Sequence, residues 1–221
     1  MRQLAPQQCL LCAAPARSAI CSGCEQELPR LPRQCCAVCA LPLAGGQSWC
    51  GACLKRAPRF ERVVAPFAYR FPVDALVHAF KYGGRLALAR PLGEALAQAV
   101  AREAADAIVP MPLAARRLAE RGFNQALEIA RVVAAHTGLP LLREACRKVA
   151  DTPPQAALPW KARAKNVRRA FVCDADLTGL RIAVVDDVLT TGATLEELAR
   201  VLRRAGAAGV AGWVVARTLP R

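Results

Sequence analysis

Long apolar runs, glycine-rich phosphate loops, histidines and aromatic residues are all scarce in this 221-residue chain. Each scarcity excludes something. No apolar run approaches the roughly 20 residues a membrane helix requires, so no membrane span is expected. Residues 1–30 are studded with cysteines, prolines and charges and lack the basic, apolar and small-residue order of a secretory leader. A soluble, cytoplasmic protein is therefore expected. Neither GxxxxGK[ST] nor GxGxxG occurs, which removes the main support for a P-loop or dinucleotide-binding reading. The two histidines, His78 and His136, are isolated in the sequence and are expected to be structural or surface residues rather than catalytic ones. Aromatics make up 5% of the chain, so platforms for stacking nucleic-acid bases are few. Acidic residues number 17 against 31 lysines and arginines, leaving a net charge of +14.

The most informative segment is Arg181-Ile-Ala-Val-Val-Asp186-Asp187-Val-Leu-Thr190-Thr191-Gly192-Ala193-Thr194-Leu195. A four-residue apolar run ends in two adjacent carboxylates, and hydroxyl-bearing and very small residues follow. The order predicts a buried strand with an acidic end, a loop of anion size and a helix start. Carboxylates at the end of a parallel strand can accept hydrogen bonds from vicinal hydroxyls or face a divalent cation, while backbone N–H groups at the helix N-terminus favour an anion. Thr190, Thr191 and Thr194 add O–H donors, and Gly192 and Ala193 have no bulk to hold a phosphate away. A sugar phosphate suits this arrangement better than a bare ion. The competing possibility is an ordinary crossover in which Asp186 and Asp187 cap the loop or face solvent.

Beyond the loop, Leu195, Leu198, Ala199 and Leu202 recur at helical spacing, Glu196 and Glu197 occupy the first turn, and Arg203, Arg204 and Gly206 close the end. Val210 to Val215 reads as a further strand, which makes the unit strand, loop, helix, strand of an open α/β sheet. The stretch VVDDVLTTGAT resembles the diphosphosugar-binding signature of type I phosphoribosyltransferases.

Nine of the eleven cysteines fall within residues 9–53, and eight of them form CxxC pairs: Cys9/Cys12, Cys21/Cys24, Cys36/Cys39 and Cys50/Cys53. Each pair can place two thiolates on one metal, and two pairs complete a tetrahedral sulfur set, so two structural zinc ions are expected. The short gaps favour the sequential sets Cys9/Cys12/Cys21/Cys24 and Cys36/Cys39/Cys50/Cys53, with a crossed pairing left open. Disulfides would require an oxidising compartment, for which the sequence gives no sign. Cys35 is left over, and Cys146 and Cys173 stand in apolar settings as small hydrophobes.

The net charge divides as +5 over residues 1–60, +5 over 61–150, +4 over 151–170 and zero over 171–221. Base is thus concentrated away from the candidate phosphosugar segment and is densest at Lys161, Arg163, Lys165, Arg168 and Arg169. A polyanionic partner such as single-stranded DNA is expected at that surface, against the alternative of a merely solvated basic face.

Ala107 to Pro112 reads as a short strand entering a proline-stiffened loop, followed by Arg116 and Arg117 and by Arg121-Gly-Phe-Asn-Gln125 at the mouth of a helix reaching about His136. RGFNQ in this place, the double cysteine module, Lys81-Tyr82-Gly83, and Thr152, Gln155, Arg163, Asn166 and Phe171 together resemble the ComF family of competence proteins and its relatives in the use of external DNA. That resemblance implies a type I phosphoribosyltransferase-like parallel sheet flanked by helices, with a small N-terminal double zinc ribbon, divided as residues 1–60 and 61–221. It also implies that 5-phosphoribosyl 1-diphosphate binds Asp186, Asp187, Thr190, Thr191, Gly192, Ala193 and Thr194 with Mg²⁺, while Lys81, Arg116 and Arg117 reach the same ligand. The segment 150–169 would be a hood over it. Two roles follow: a DNA-uptake protein contacting single-stranded DNA and the uptake machinery, or an active phosphoribosyltransferase of nucleotide metabolism. No side-chain nucleophile is needed for the second, so no catalytic residue can be named.

Overall fold

The computed structural model describes residues 7–149 and 169–220. Thr152, Gln155, Lys161, Arg163, Lys165, Asn166 and Arg168, and with them most of the expected hood, lie outside the described residues.

The N-terminal part is small and loop-rich. A two-residue hairpin pairs β1 (Gln7–Gln8) with β2 (Pro15–Ala16), and two five-residue helices, α1 (Ser22–Gln26) and α2 (Gly51–Lys55), each begin directly after a cysteine. The chain then enters a parallel sheet through β3 (Arg62–Val64) and β4 (Phe67–Ala68). Helix α3 (Val73–Tyr82) and α4 (Ala89–Val100) lead to β5 (Ala107–Pro110). After it come α5 (Ala115–Arg121) and α6 (Gln125–Thr137). An antiparallel pair, β6 (Cys146–Lys148) with β7 (Phe171–Cys173), is followed by β8 (Arg181–Leu189), α7 (Ala193–Arg204) and β9 (Gly209–Arg217).

The main sheet runs β3-β9-β8-β5, with β4 also on β9, and every pairing in it is parallel. Alternation along β8 divides the core. Ile182 and Val184 join Val109, Val210 and Val214 under α7, while Ala183 and Val185 join Ile108, Trp213 and Val215 under α4 and α6. Both faces of the sheet are therefore covered, as a parallel sheet requires. This is the expected α/β architecture of a parallel sheet flanked by helices. Helix α7 lies close to the sheet because position 212 on β9 is glycine, where a Cβ would run into Leu195.

The expected helices and strands recur, with one correction. The carboxylates do not end their strand: β8 continues through Asp186 and Asp187 to Leu189, with Asp186 opposite Val214 and Val188 opposite Ala216. The neighbouring strand β9 supplies backbone partners as far as Arg217, and Leu189 is buried. A long partner and an apolar end outweigh the interruption by two charges. Helix α6 begins as the sequence suggests: Asn124 accepts hydrogen bonds from the N–H groups of Ala126 and Leu127 and donates to the Met111 carbonyl, tying the helix start to the end of β5.

Candidate functional site

The sulfur atoms of Cys9, Cys12, Cys21 and Cys24 lie within 4.8 Å of one another, as do those of Cys36, Cys39, Cys50 and Cys53. These are the sequential sets, not the crossed ones. A tetrahedral zinc with bonds of about 2.3 Å separates its sulfurs by about 3.8 Å, and the observed Cys12–Cys21 and Cys39–Cys50 separations are 3.7 and 3.6 Å. The donor set and its spacing fit the metal. Backbone N–H groups of Leu11 and Cys21 donate to Cys9 Sγ and that of Cys50 to Cys36 Sγ, as suits thiolates. Burial raises the Cys9 thiol, but the backbone donors outweigh it and bring it down to about 6; the same balance brings Cys36 to about 7. Cys24 is pushed up to about 12, first by hydrogen bonding to Cys12. A metal-free set thus holds thiolate and thiol together, and a divalent cation must displace protons to bind.

The two modules are set differently. Cys12 is exposed, whereas all four cysteines of the second module are buried in one core with Phe60, Val63 and the underside of α7. Arg217, at the end of β9, joins that module to the loop between β8 and α7. Its Nε donates to the Cys39 carbonyl at 2.9 Å, and its Nη1 to the carbonyls of Leu189 at 3.1 Å and Thr190 at 2.6 Å. Arg217 is buried and donates to four backbone carbonyls and the Thr218 hydroxyl, a role that sequence reading missed. The available signal was an arginine closing an otherwise apolar strand.

The loop Thr190–Gly192 turns β8 into α7 through Gly192 at φ 79°, a left-handed conformation that glycine adopts without strain. Thr191 Oγ1 accepts from the N–H of Ala193 at 3.2 Å. A cavity of about 70 Å³ is lined by Asp186, Thr190, Gly192, Ala193 and Thr194 together with Met111 and Val214. A larger one of about 870 Å³ opens between the same loop, the second cysteine module and the exposed side of α7, with Arg56, Arg59, Arg169, Arg200 and Arg204 in its wall. Counted along the sequence, the basic excess lies apart from the Asp186–Thr194 segment. In the folded chain they adjoin. Glu196 and Glu197, whose positions suggest only a favourable first turn, are instead connectors: Glu196 accepts from the Arg59 N–H at 2.6 Å, and Glu197 accepts from the Arg169 N–H and pairs with Arg200, each at 2.7 Å.

The two carboxylates have different surroundings. Asp187 is buried and its Oδ2 stands 2.7 Å from Lys81 Nζ at the end of α3, an ionic contact without hydrogen-bond alignment. Burial works against the Lys81 ammonium, but Asp187 outweighs it and holds the pKa above the usual lysine value. Asp186 is pushed up to about 8, first by burial and then by Asp187, against the pull of Lys81. Between the ordinary carboxyl value near 4 and about 8, the folded chain therefore keeps a proton that the unfolded chain has lost. Stability should decline as pH rises through that window. In urea unfolding without divalent cations, Asp186→Asn is expected to remove that part of the decline; an unchanged pH slope would show that Asp186 ionises freely.

The remaining expected ligands lie on α5. Arg116 pairs with Glu120 across one helical turn, and Arg117 occupies the next position. Cys146 is buried and faces Cys173 across the β6–β7 pair. Among the described residues no helix is long and apolar enough to cross a membrane.

A sequence model of double zinc ribbon domains matches residues 1–54. The DNA utilization protein YhgH of Salmonella typhimurium is 36% identical over 224 residues, covering 97% of this chain and 98% of that protein. Competence protein F of Haemophilus influenzae is 32% identical over 213 residues, covering 91% and 92%. A solved purine phosphoribosyltransferase from Pyrococcus horikoshii overlaps with a TM-score of 0.37 at 21% identity, covering 58% of this chain and 80% of that one, too partial an overlap to carry a ligand across.

Proposed function

The chain belongs to the family of competence protein F and the DNA utilization proteins, and from that membership we propose that it supports the uptake or use of external DNA in the cytoplasm. In this reading residues 1–60 form the zinc ribbon unit and residues 61–221 a unit that binds 5-phosphoribosyl 1-diphosphate. Single-stranded DNA runs over the basic surface between them.

The observation that carries the reading is the junction of β8 and α7. A loop of two threonines and a glycine opens a twelve-residue helix, with a third threonine in its first turn, beside two carboxylates, and an arginine-walled cavity adjoins it. The 5-phosphate would take the loop N–H groups and the hydroxyls of Thr190, Thr191 and Thr194; the ribose hydroxyls would take Asp186 and Asp187; the diphosphate would take Lys81, Arg116 and Arg117. Asp187 Oδ2 already faces one cation, the Lys81 ammonium at 2.7 Å, and with Lys81 turned to the diphosphate Mg²⁺ would take its place there and neutralise the carboxylate.

Calorimetry with Mg²⁺ and the diphosphosugar tests this directly. Asp187→Asn should weaken binding at least tenfold, the effect of about 1.4 kcal/mol for one charge-assisted contact; unchanged affinity would detach the motif from the ligand. Turnover of the diphosphosugar with a base or amine acceptor would replace the binding role by a transferase role.

The DNA reading has its own measurement. In anisotropy titrations affinity should fall steeply with salt, and replacing Lys161, Lys165, Arg168 and Arg169 by alanine should flatten the log–log salt slope by up to about 3, at ~0.7 per phosphate contact on a single strand. Asp187→Asn should leave DNA binding largely intact. No binding at low salt would sink this part of the proposal.

A further inference from the structure

Two segments far apart in sequence, Lys81-Tyr82-Gly83 and Arg121-Gly-Phe-Asn-Gln125, meet through a cation–ring contact. The Arg121 guanidinium carbon stands 5.2 Å from the centroid of the Tyr82 ring. The His78 ring, one turn earlier on α3, is tilted by 48° with its centroid 4.9 Å from that of Tyr82. Arg121 is held in place by a hydrogen bond from its Nη1 to Gln125 Oε1. Despite these neighbours Tyr82 is 68% exposed, so much of its ring surface still faces solvent.

The location gives the stack its meaning. Tyr82 follows Lys81, whose ammonium reaches Asp187, so the stack stands at the edge of the acidic pair. Half-buried Tyr69 lies in the same neighbourhood: burial raises its pKa first, Lys81 opposes that rise and Asp187 adds to it. A lone exposed tyrosine is unremarkable on a protein surface. One braced by a cation that Gln125 holds in place, next in sequence to the lysine that pairs with Asp187, is a preformed surface for a flat partner.

We propose that Tyr82, braced by Arg121 and flanked by His78, is a stacking platform for a base of single-stranded DNA. This rests on the DNA-binding reading above. An aromatic face accepts any base, and Arg121 adds a positive charge where the adjoining phosphates run. Contacts to phosphate alone would not distinguish a strand with bases from one without them.

The test uses the full-length protein with zinc bound and two strands of twelve nucleotides, one of thymidines and one with abasic sugars carrying the same phosphates. The wild-type protein should prefer the thymidine strand by about 5- to 150-fold, the range for one stacked base. Tyr82→Ala should lose that preference while holding the abasic strand as before. Tyr82→Trp should keep the preference, and its added indole emission should be quenched by the thymidine strand only. Equal binding of the two strands by the wild-type protein, or an unaltered preference in Tyr82→Ala, would overturn the platform and leave the basic DNA surface standing. Binding of neither strand would overturn both.

Discussion

Cys53→Ser is expected to release one zinc ion per chain and unfold the second cysteine module, and Cys12→Ser to do the same to the first, while Cys146→Ser releases none. A structural zinc site contributes on the order of 10–16 kcal/mol to the segment it holds. Against that, the first module's largest buried apolar side chains are Ile20 and Leu28, worth about 1.5–3 kcal/mol each. Burial cannot replace the metal there. The consequences differ between modules. Cys12 is exposed and its loss should remain local. Loss of Cys53 removes a ligand from a module that shares a core with Phe60 and, through Arg217, is bound to the Leu189 and Thr190 carbonyls. Only Cys53→Ser should therefore weaken diphosphosugar binding as well. Metal analysis with near-UV circular dichroism reads both effects; a wild-type protein with fewer than two zinc ions would refute the assignment. Because protons and zinc compete for the thiolates, a chelator should strip the metal faster at pH 6 than at pH 8.

The cysteine sets were legible because CxxC spacing is short-range and each pair reports on itself. The β8–loop–α7 unit was legible for a similar reason, since an apolar run, small residues and helical periodicity follow one another directly. What could not be read was how far β8 runs, because that depends on the length of its neighbour β9 and not on the residues of β8 alone. Arg217 is a different case. Its partners, Cys39 and Leu189, lie 178 and 28 residues away, and no local pattern distinguishes a buried arginine serving carbonyls from an exposed one at a strand end. The adjoining of basic surface and the β8–α7 loop was hidden likewise, since Arg56 and Arg59 reach Glu196 only once the ribbon folds against α7.

Lys81 shows the same dependence on long-range contact, and it carries the largest expected effect of any single substitution in the second unit. Asp187 is almost wholly buried, with 4% of its side chain exposed. Removing one partner of such a pair leaves a charge with neither water nor counter-ion, and breaking buried pairs in this way costs about 3–5 kcal/mol. Lys81→Met should accordingly lower the melting temperature by about 6–20 °C, at ~2–4 °C per kcal/mol for a chain of this size. Adding Asp187→Asn should restore most of that loss, because the stranded charge is then gone; two separate losses that simply add would show that the pair is not coupled. Magnesium supplies the sharper discrimination. In the wild-type protein the ammonium already neutralises Asp187, so Mg²⁺ without diphosphosugar should change the melting temperature little. In Lys81→Met the carboxylate has no cation, and Mg²⁺ at a hundred times its dissociation constant should return about 2.7 kcal/mol. A Lys81→Met protein as stable as wild type without added metal would mean that Lys81 is not the resident counter-ion of the site.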